Sequence, residues 1–250
     1  MTQEEIVKNI DKITVGLDDT FRFHCTQCGK CCINRHDILL SPRDIYRASK
    51  YLGKTPLEFF QSYCETYIGE HSGMPIVRLR PTGNDDRCPL LKKRKCLIHA
   101  AKPSVCAMYP LGRYMQHDKD AFEEGKGEAF TVRYLLQPID CGTLTETHTV
   151  RDWLSGFNIE LEDQAFISWN NAISTISHFL RTVKEIGTDR VMGMLYSSVL
   201  GGMYLNYDIE EEFQPQFDRN LDPLKDLMDK LSPFTAPLMA SQEASDGEES

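Results

Sequence analysis

Residues 23–37 read FHCTQCGKCCINRHD, and four cysteines fall within eight positions of this stretch: Cys25, Cys28, Cys31 and Cys32. The first three have C-x2-C-x2-C spacing, which allows a tight loop to turn several sulfur atoms toward one centre. Thiolate is a soft ligand that selects zinc, cuprous copper or iron–sulfur clusters. The bacterial ferredoxin motif opens in the same way, but its next cysteine follows after three residues. The stretch therefore predicts a metal centre without naming the metal.

Cys31 and Cys32 are adjacent, which is unusual for two ligands of one small ion. In an extended backbone, neighbouring side chains point to opposite sides. We therefore expect the two thiols to serve two centres, or one to act as a ligand while the other supports it.

Five further cysteines follow along the chain: Cys64, Cys88, Cys96, Cys106 and Cys141. Cys64 follows Leu57 and Phe60 at helical spacing, which predicts a thiol in an apolar core. The other eight could fill two tetrahedral sites of four, or hold one cluster with spare ligands. We predict these eight as metal ligands: Cys25, Cys28, Cys31, Cys32, Cys88, Cys96, Cys106 and Cys141.

Nine cysteines in 250 residues also bear on the compartment. The polar N-terminal stretch MTQEEIVKNI lacks the apolar segment of a secretory signal, and no run reaches about eighteen apolar residues. We therefore expect a cytoplasmic protein with reduced thiols and no membrane partner. The net charge of −9 does not favour nucleic acid as a partner.

The fold class follows from the order of the elements. Ser41-Pro42 and Thr55-Pro56 are typical helix starts, while residues 75–81 and 129–138 are predicted strands that could pair. After Cys141 the spacing becomes helical, with a predicted buried stripe at Trp169, Ile173, Ile176 and Leu180. We predict an α+β protein: a cysteine-rich part with short antiparallel strands around a metal site (20–145), a mostly helical region (146–236) and a disordered acidic tail (237–250).

Three segments together resemble a known family. They are CTQCGKCC (25–32), CPLLKKRKCLIHAAKPSVCAMYP (88–110) and Cys141. Their order is similar to that of the CxxCxxCC, or YkgJ-type, cysteine-cluster family, described as a zinc- or iron-chelating domain. The family includes flagellin lysine-N-methylases, which are associated with an iron–sulfur cluster. The resemblance covers residues 23–142 and implies metal chelation by the cysteines; Lys102-Pro103 stands where the family usually has Arg-Pro.

Three functions are consistent with these residues. The first is a metal-binding protein whose thiolates chelate iron, as an iron–sulfur cluster, or zinc in its place, with a redox or protein-modification role. The second is a structural zinc module whose helical part binds a protein partner. The third, a lysine N-methyltransferase, rests on the resemblance alone, because no Walker A or GxGxxG motif is present. The residues leave open whether the protein is an enzyme, and which protein substrate or redox partner it meets.

Overall fold

The computed structural model describes residues 8–118 and 129–246. The chain divides into two compact units, each assembled from two separate stretches. Unit 1 comprises Met1–Arg35 and Gly83–Asp163, and unit 2 comprises His36–Thr82 and Gln164–Ser250. Helices occur together with short antiparallel strands, so the predicted α+β class is confirmed. The predicted domain boundaries at 145/146 and 236/237 separate segments that were expected to fold independently. These boundaries stay predictions.

The elements of the described residues are numbered here in chain order. The helices are α1 (Ile10–Ile13), α2 (Pro42–Leu52), α3 (Pro56–Tyr63), α4 (Ser104–Met108), α5 (Val150–Ser155), α6 (Gln164–Ile186), α7 (Asp189–Leu200) and α8 (Phe213–Asp246). The strands are β1 (Thr14–Val15), β2 (Thr20–His24), β3 (Cys64–Ile68), β4 (Pro75–Leu79), β5 (Leu91–Lys92), β6 (Lys95–Cys96), β7 (Leu111–Asp118), β8 (Ala129–Leu136) and β9 (Thr143–Thr149). Lys30–Cys32 and His99–Ala101 are 3-10 turns, and Gly201–Leu205 is a π-helical turn.

Unit 1 is built from small sheets around one apolar cluster. Its sheets are β1-β8-β7, β2-β9 and the hairpin β5-β6. β2 alternates because Phe21 and Phe23 are buried while Thr20 and Arg22 are exposed, as a strand with one covered face requires. Trp153 meets the two phenylalanine rings edge-on, with centroids 5.7 Å and 5.6 Å away. The buried members of the cluster are Phe21, Phe23, Ala107, Met108, Leu111, Tyr134, Val150, Leu154 and Ile159.

Unit 2 is mostly helical. Both predicted helix starts are confirmed, because Ser41 and Thr55 each form a capping box at the start of α2 and α3. Its only strand pair is the hairpin of β3 and β4 within the described residues. Phe59 and Phe217 are fully buried, so this unit has an apolar core of the usual kind.

The predicted pairing of residues 75–81 with residues 129–138 is wrong. The first segment, β4, pairs with β3 across a short connection, because neighbours in sequence are the readiest partners for an antiparallel strand. The second segment, β8, pairs with β7 and β1. β3 and β7 were not predicted as strands from the sequence.

The helical expectations for the second half hold in outline. In α6, Ile176 and Leu180 are buried as predicted, but Trp169 and Ile173 are only half-buried, because Ala172 shares the covered face. α8 continues to Asp246, and residues 247–250 lie outside the described part, so the predicted disorder of 237–250 stays a prediction. Within residues 8–118 and 129–246, no helix combines the length and apolar character needed to cross a membrane.

Candidate metal centre

All eight predicted ligands lie in unit 1, and Cys64 lies in unit 2. All nine cysteines are free thiols. Cys64 is 3% exposed, and burial raises its pKa to about 12. The prediction of a core thiol is therefore confirmed, but its helical basis is wrong: Cys64 begins β3, and Leu57 is exposed.

The loop after β2 carries the first four cysteines. It reverses direction at Gly29, whose φ of 74° is in the left-handed region, and then enters the 3-10 turn Lys30–Cys32. A Cβ at Gly29 would lie 3.2 Å from the Arg94 carbonyl oxygen and 3.3 Å from Leu91 Cδ1. Glycine at this position therefore allows the loop to lie close to the β5-β6 hairpin.

The adjacent cysteines do not diverge as expected. The Sγ atoms of Cys31 and Cys32 are 3.9 Å apart, because the backbone there forms a tight 3-10 turn rather than an extended strand. A hydrogen bond from Cys32, helped by the positive charges of Arg35 and Lys102, lowers the pKa of Cys31 to about 6. The same hydrogen bond and burial raise the pKa of Cys32. The hydrogen bond therefore favours a thiolate at Cys31 and a protonated thiol at Cys32.

The β5-β6 hairpin brings in two further cysteines. Leu91 pairs with Cys96 across the hairpin, and the two turn residues, Lys93 and Arg94, have positive φ angles of 48° and 63°. This combination is the backbone of a type I′ turn, which suits a two-residue hairpin loop. The residues of the basic run 92–95 are all exposed, as expected for a solvated loop.

Backbone amides already point at the hairpin sulfurs. The Leu90 N–H donates to Cys88, and the Ile98 N–H donates to Cys96. Burial raises the pKa of both thiols, that of Cys88 to about 11. A bound cation is the usual means of deprotonating such thiols, and the amides would then stabilise the resulting thiolates.

Cys106 lies in the short helix α4, which follows Lys102-Pro103. Burial raises its pKa well above the usual value, and its thiol interacts electrostatically with Cys88 and Cys96. Lys102 is 9% exposed, with its Nζ 4.5 Å from the centre of the Phe157 ring. No described carboxylate forms an ion pair with Lys102, whereas Cys31 and Cys96 both experience its charge.

Cys141 reaches the first loop through a close backbone approach. Gly142 has a φ of 70°, and a Cβ there would lie 2.4 Å from the His24 carbonyl oxygen. The Gly142 N–H donates to Cys28 Sγ, and the Lys30 ammonium donates to the carbonyl oxygen of Asp140. Glycine is therefore required if Cys141 is to reach the first four cysteines.

Tyr109 is a contact that the sequence analysis did not single out as functional. Its hydroxyl hydrogen-bonds to Cys141 and lies 3.0 Å from Asp140 Oδ1. Burial raises the pKa of the Tyr109 phenol. The signal available in the sequence was the spacing from Cys106, C-x2-Tyr-Pro.

Two histidines beside the cysteines have other surroundings. His24 Nδ1 lies 2.8 Å from a carboxylate oxygen of Glu146, so this ring is already partnered across the β2-β9 ladder. Burial lowers the pKa of His99.

The thiols influence one another electrostatically, and Cys31 acts on Cys88, Cys96 and Cys106 in this way. In the described part of the chain, however, no three or more cysteine, histidine or acidic side chains are arranged as a ready metal site. The donor set nevertheless fits a soft metal in its chemistry, since it consists of clustered thiols. Closing a site would require these side chains to move toward one another.

The comparison with protein families agrees with this chemistry. Residues 24–127 match the family model CxxCxxCC, described as “Putative zinc- or iron-chelating domain”. This match supports the resemblance seen in the sequence, and it covers less than half of the 250 residues. Seven of the eight predicted ligands lie in the matched segment, and Cys141 follows it. The description concerns metal chelation, and the relation to flagellin methylases stays a prediction. No curated protein and no solved structure matches the chain.

Proposed function

We propose that the protein is a cytoplasmic metal-binding protein whose eight clustered thiolates chelate iron, held as an iron–sulfur cluster. The observation that carries this proposal is that eight cysteines from separate segments belong to one compact unit: Cys25, Cys28, Cys31, Cys32, Cys88, Cys96, Cys106 and Cys141. Thiolates are the ordinary ligands of iron–sulfur clusters.

The pKa values of the buried thiols support the interpretation that these cysteines bind metal rather than remain free thiols. Burial raises the pKa of Cys88, Cys96, Cys106 and Cys141, so each proton is hard to remove without a compensating cation. A group of eight free thiols would also be open to oxidation if it had no ligand role. Metal binding accounts for both features, since it displaces the protons and protects the sulfurs.

The charges around the cluster support an anionic centre. Among residues 8–118 and 129–246, no carboxylate pairs with the buried Lys102, and a buried ammonium needs an opposite charge nearby. Arg35 donates from Nη1 to the Cys31 carbonyl oxygen at 2.9 Å and also acts on Cys88 and Cys106. A metal ion or cluster with four thiolates carries net negative charge, which these two cations would balance.

Zinc is the second candidate, and the donor set favours it in one respect. Eight thiols equal two closed sites of four sulfurs, which is the coordination of structural zinc. A zinc-bound protein would be a structural module whose helical part binds a protein partner. An iron–sulfur form would instead suit electron transfer or the modification of a protein substrate.

Anaerobic purification tests the proposal directly. We expect brown protein with visible absorption, iron and acid-labile sulfide, because iron–sulfur clusters absorb visible light whereas d10 zinc does not. A colourless preparation with stoichiometric zinc would move the assignment to the structural module. Protein that binds neither metal in reducing buffer would refute both. A Cys64→Ala variant, altered only in unit 2, is the matched control and should contain the wild-type amount of metal.

A further inference from the structure

The chain is acidic as a whole, but the surface beside the first cysteine loop is basic. The net charge is −9, whereas all four residues from 92 to 95, at the tip of the β5-β6 hairpin, are cationic and exposed. Lys30, which lies between Cys28 and Cys31 in the loop itself, is exposed as well. We call these five residues the basic rim: Lys30, Lys92, Lys93, Arg94 and Lys95.

Close contacts hold the basic rim beside the cysteine loop. Arg94 donates from Nη2 to the Cys28 carbonyl oxygen at 3.2 Å. The backbone N–H of Cys88, which precedes the hairpin, donates to the Cys32 carbonyl oxygen at 2.8 Å. The type I′ backbone at Lys93 and Arg94 fixes the direction of the hairpin tip. The charges of the rim therefore border the loop that carries four of the eight predicted ligands.

The basic rim is not neutralised by the part of the chain that the structure describes. Between residues 8 and 118 and between 129 and 246, no carboxylate forms an ion pair with any of its five cations. Lys30 donates to the backbone carbonyl oxygen of Asp140, whose carboxylate faces the Tyr109 hydroxyl at 3.0 Å instead. Neighbouring like charges repel one another, and the opposite charge of a bound partner relieves that repulsion.

Exposed apolar side chains border the same loop. Among the described residues of unit 1, the large hydrophobic side chains that remain exposed are Ile33, at 37%, and Leu144, at 53%. Ile33 directly follows Cys32, and Leu144 follows Thr143, which pairs with His24 at the start of the loop. Both apolar residues therefore flank cysteine segments, as the basic rim does.

This combination of side chains fits a protein better than a nucleic acid. Protein interfaces combine apolar contacts with a polar rim, whereas binding to a phosphate backbone depends on cations. Binding of single-stranded nucleic acid also uses aromatic side chains on which bases stack, and residues 88–98 contain none. The net charge of −9 would repel a long polyanion at every other part of the surface.

We infer that the basic rim is a docking surface for a protein with an acidic face, which then lies over the first cysteine loop. This inference rests on the proposed function, because it names the class of partner that reaches the candidate metal centre. Opposite charges speed the encounter of two proteins, and a small contact area lets them separate again. The negative charge of the rest of the chain repels the same partner elsewhere, so docking at the rim is favoured.

Binding of fluorescent poly-L-glutamate, a simple acidic polypeptide, to the full-length protein tests this surface. The rim variant combines Lys92→Gln, Lys93→Gln and Lys95→Gln, and at low salt it should associate about tenfold more slowly than the wild type. Its affinity should also depend less on salt concentration, because fewer ion pairs form. The matched control changes three exposed lysines of unit 2 to glutamine, so it has the same net charge, and it should bind like the wild type: Lys50, Lys184 and Lys230.

Three outcomes would overturn the inference. The first is equal association of the rim variant and the wild type. The second is an equal loss in the unit 2 control, because the effect would then come from net charge and not from the rim. The third is a DNA duplex that binds more tightly than poly-L-glutamate at the same salt concentration and loses binding in the rim variant, which would reassign the surface to nucleic acid.

Metal analysis of the same preparations separates this inference from the proposed function. Both lysine variants should contain the wild-type amount of metal, because none of the changed side chains is a predicted ligand. Wild-type protein without metal would defeat the proposed function, whereas loss of poly-L-glutamate binding with normal metal content would support the docking surface.

Discussion

The two units use the same amino acid in opposite ways. In unit 2, Cys64 is buried in an apolar setting and behaves as a small hydrophobic residue. In unit 1, eight cysteines lie in turns and short elements among backbone N–H donors and two cations. Unit 2 has long helices to cover its core, whereas unit 1 has short strands and tight turns. The residues around a thiol therefore decide whether it packs in an apolar core or binds metal. We expect the folding of unit 1, and not that of unit 2, to depend on metal.

Metal removal should separate the units most strongly. A chelator should abolish the hydrogen-exchange protection of β2 and β9 while the amides of α2 and α7 keep theirs. Structural zinc sites contribute about 10–16 kcal/mol of binding free energy that stabilises the fold around them. Hydrogen exchange followed by mass spectrometry, with and without chelator, measures the difference. Equal loss of protection in both units would break the comparison.

A pair of phenylalanine substitutions should give the next largest effect. Phe217→Ala in unit 2 and Phe23→Ala in unit 1 each remove a fully buried ring, so each should cost about 3–5 kcal/mol of unfolding free energy. Only Phe23→Ala should also lower the metal content, because this ring lies against Gly142 and precedes the cysteine loop. Denaturant unfolding and metal analysis of both variants provide the check. Undiminished metal in Phe23→Ala would contradict the link between the apolar cluster and the centre.

Local signals made part of the fold predictable. Ser41-Pro42 and Thr55-Pro56 specify helix starts through contacts within four residues, so α2 and α3 were anticipated. β2 and β9 were not, since TFRFH is only five residues long and TLTETHT carries hardly any apolar residues. Each of these strands pairs with a segment more than a hundred residues away in the sequence. Such a long-range pairing cannot be predicted from a short stretch of sequence.

The candidate site was predictable in its residues but not in its arrangement. Spacing identified the eight cysteines and set Cys64 apart. It could not reveal that Cys31 and Cys32 occupy a 3-10 turn, because that conformation depends on Gly29 meeting Arg94 in a distant hairpin. Lys102 was noticed only as a difference from the family pattern. Lys102 is buried beside the thiols because it packs against Phe157, and this contact cannot be predicted from the sequence.

Lys102 offers a smaller, electrostatic test of the comparison. Lys102→Met removes the buried charge near Cys31 and Cys96, and we expect metal affinity to fall by about tenfold, as for other groups that contact ligands. Lys102→Arg keeps the charge and should restore most of the affinity. Competition with a chromophoric chelator measures both variants, with Lys225→Met in unit 2 as the matched control. Equal metal affinity of Lys102→Met and the wild type would show that the Lys102 charge does not stabilise the metal centre.

Helix capping should give the smallest effect and should leave the metal untouched. Ser41→Ala removes the hydroxyl that accepts the Asp44 N–H at 3.1 Å, so it should lower the unfolding free energy by about 1 kcal/mol. Thr55→Ala should act alike at α3. Metal content should match the wild type in both variants. A loss of metal on changing either cap would mean that unit 2 contributes to the centre.

X-ray absorption at the edge of the bound metal tests the central claim most directly. We expect a first coordination shell made of sulfur, at about 2.3 Å for zinc, with no nitrogen or oxygen ligand. A first shell of nitrogen or oxygen at about 2.0–2.2 Å would contradict it, because the metal would then lie outside the cysteine cluster.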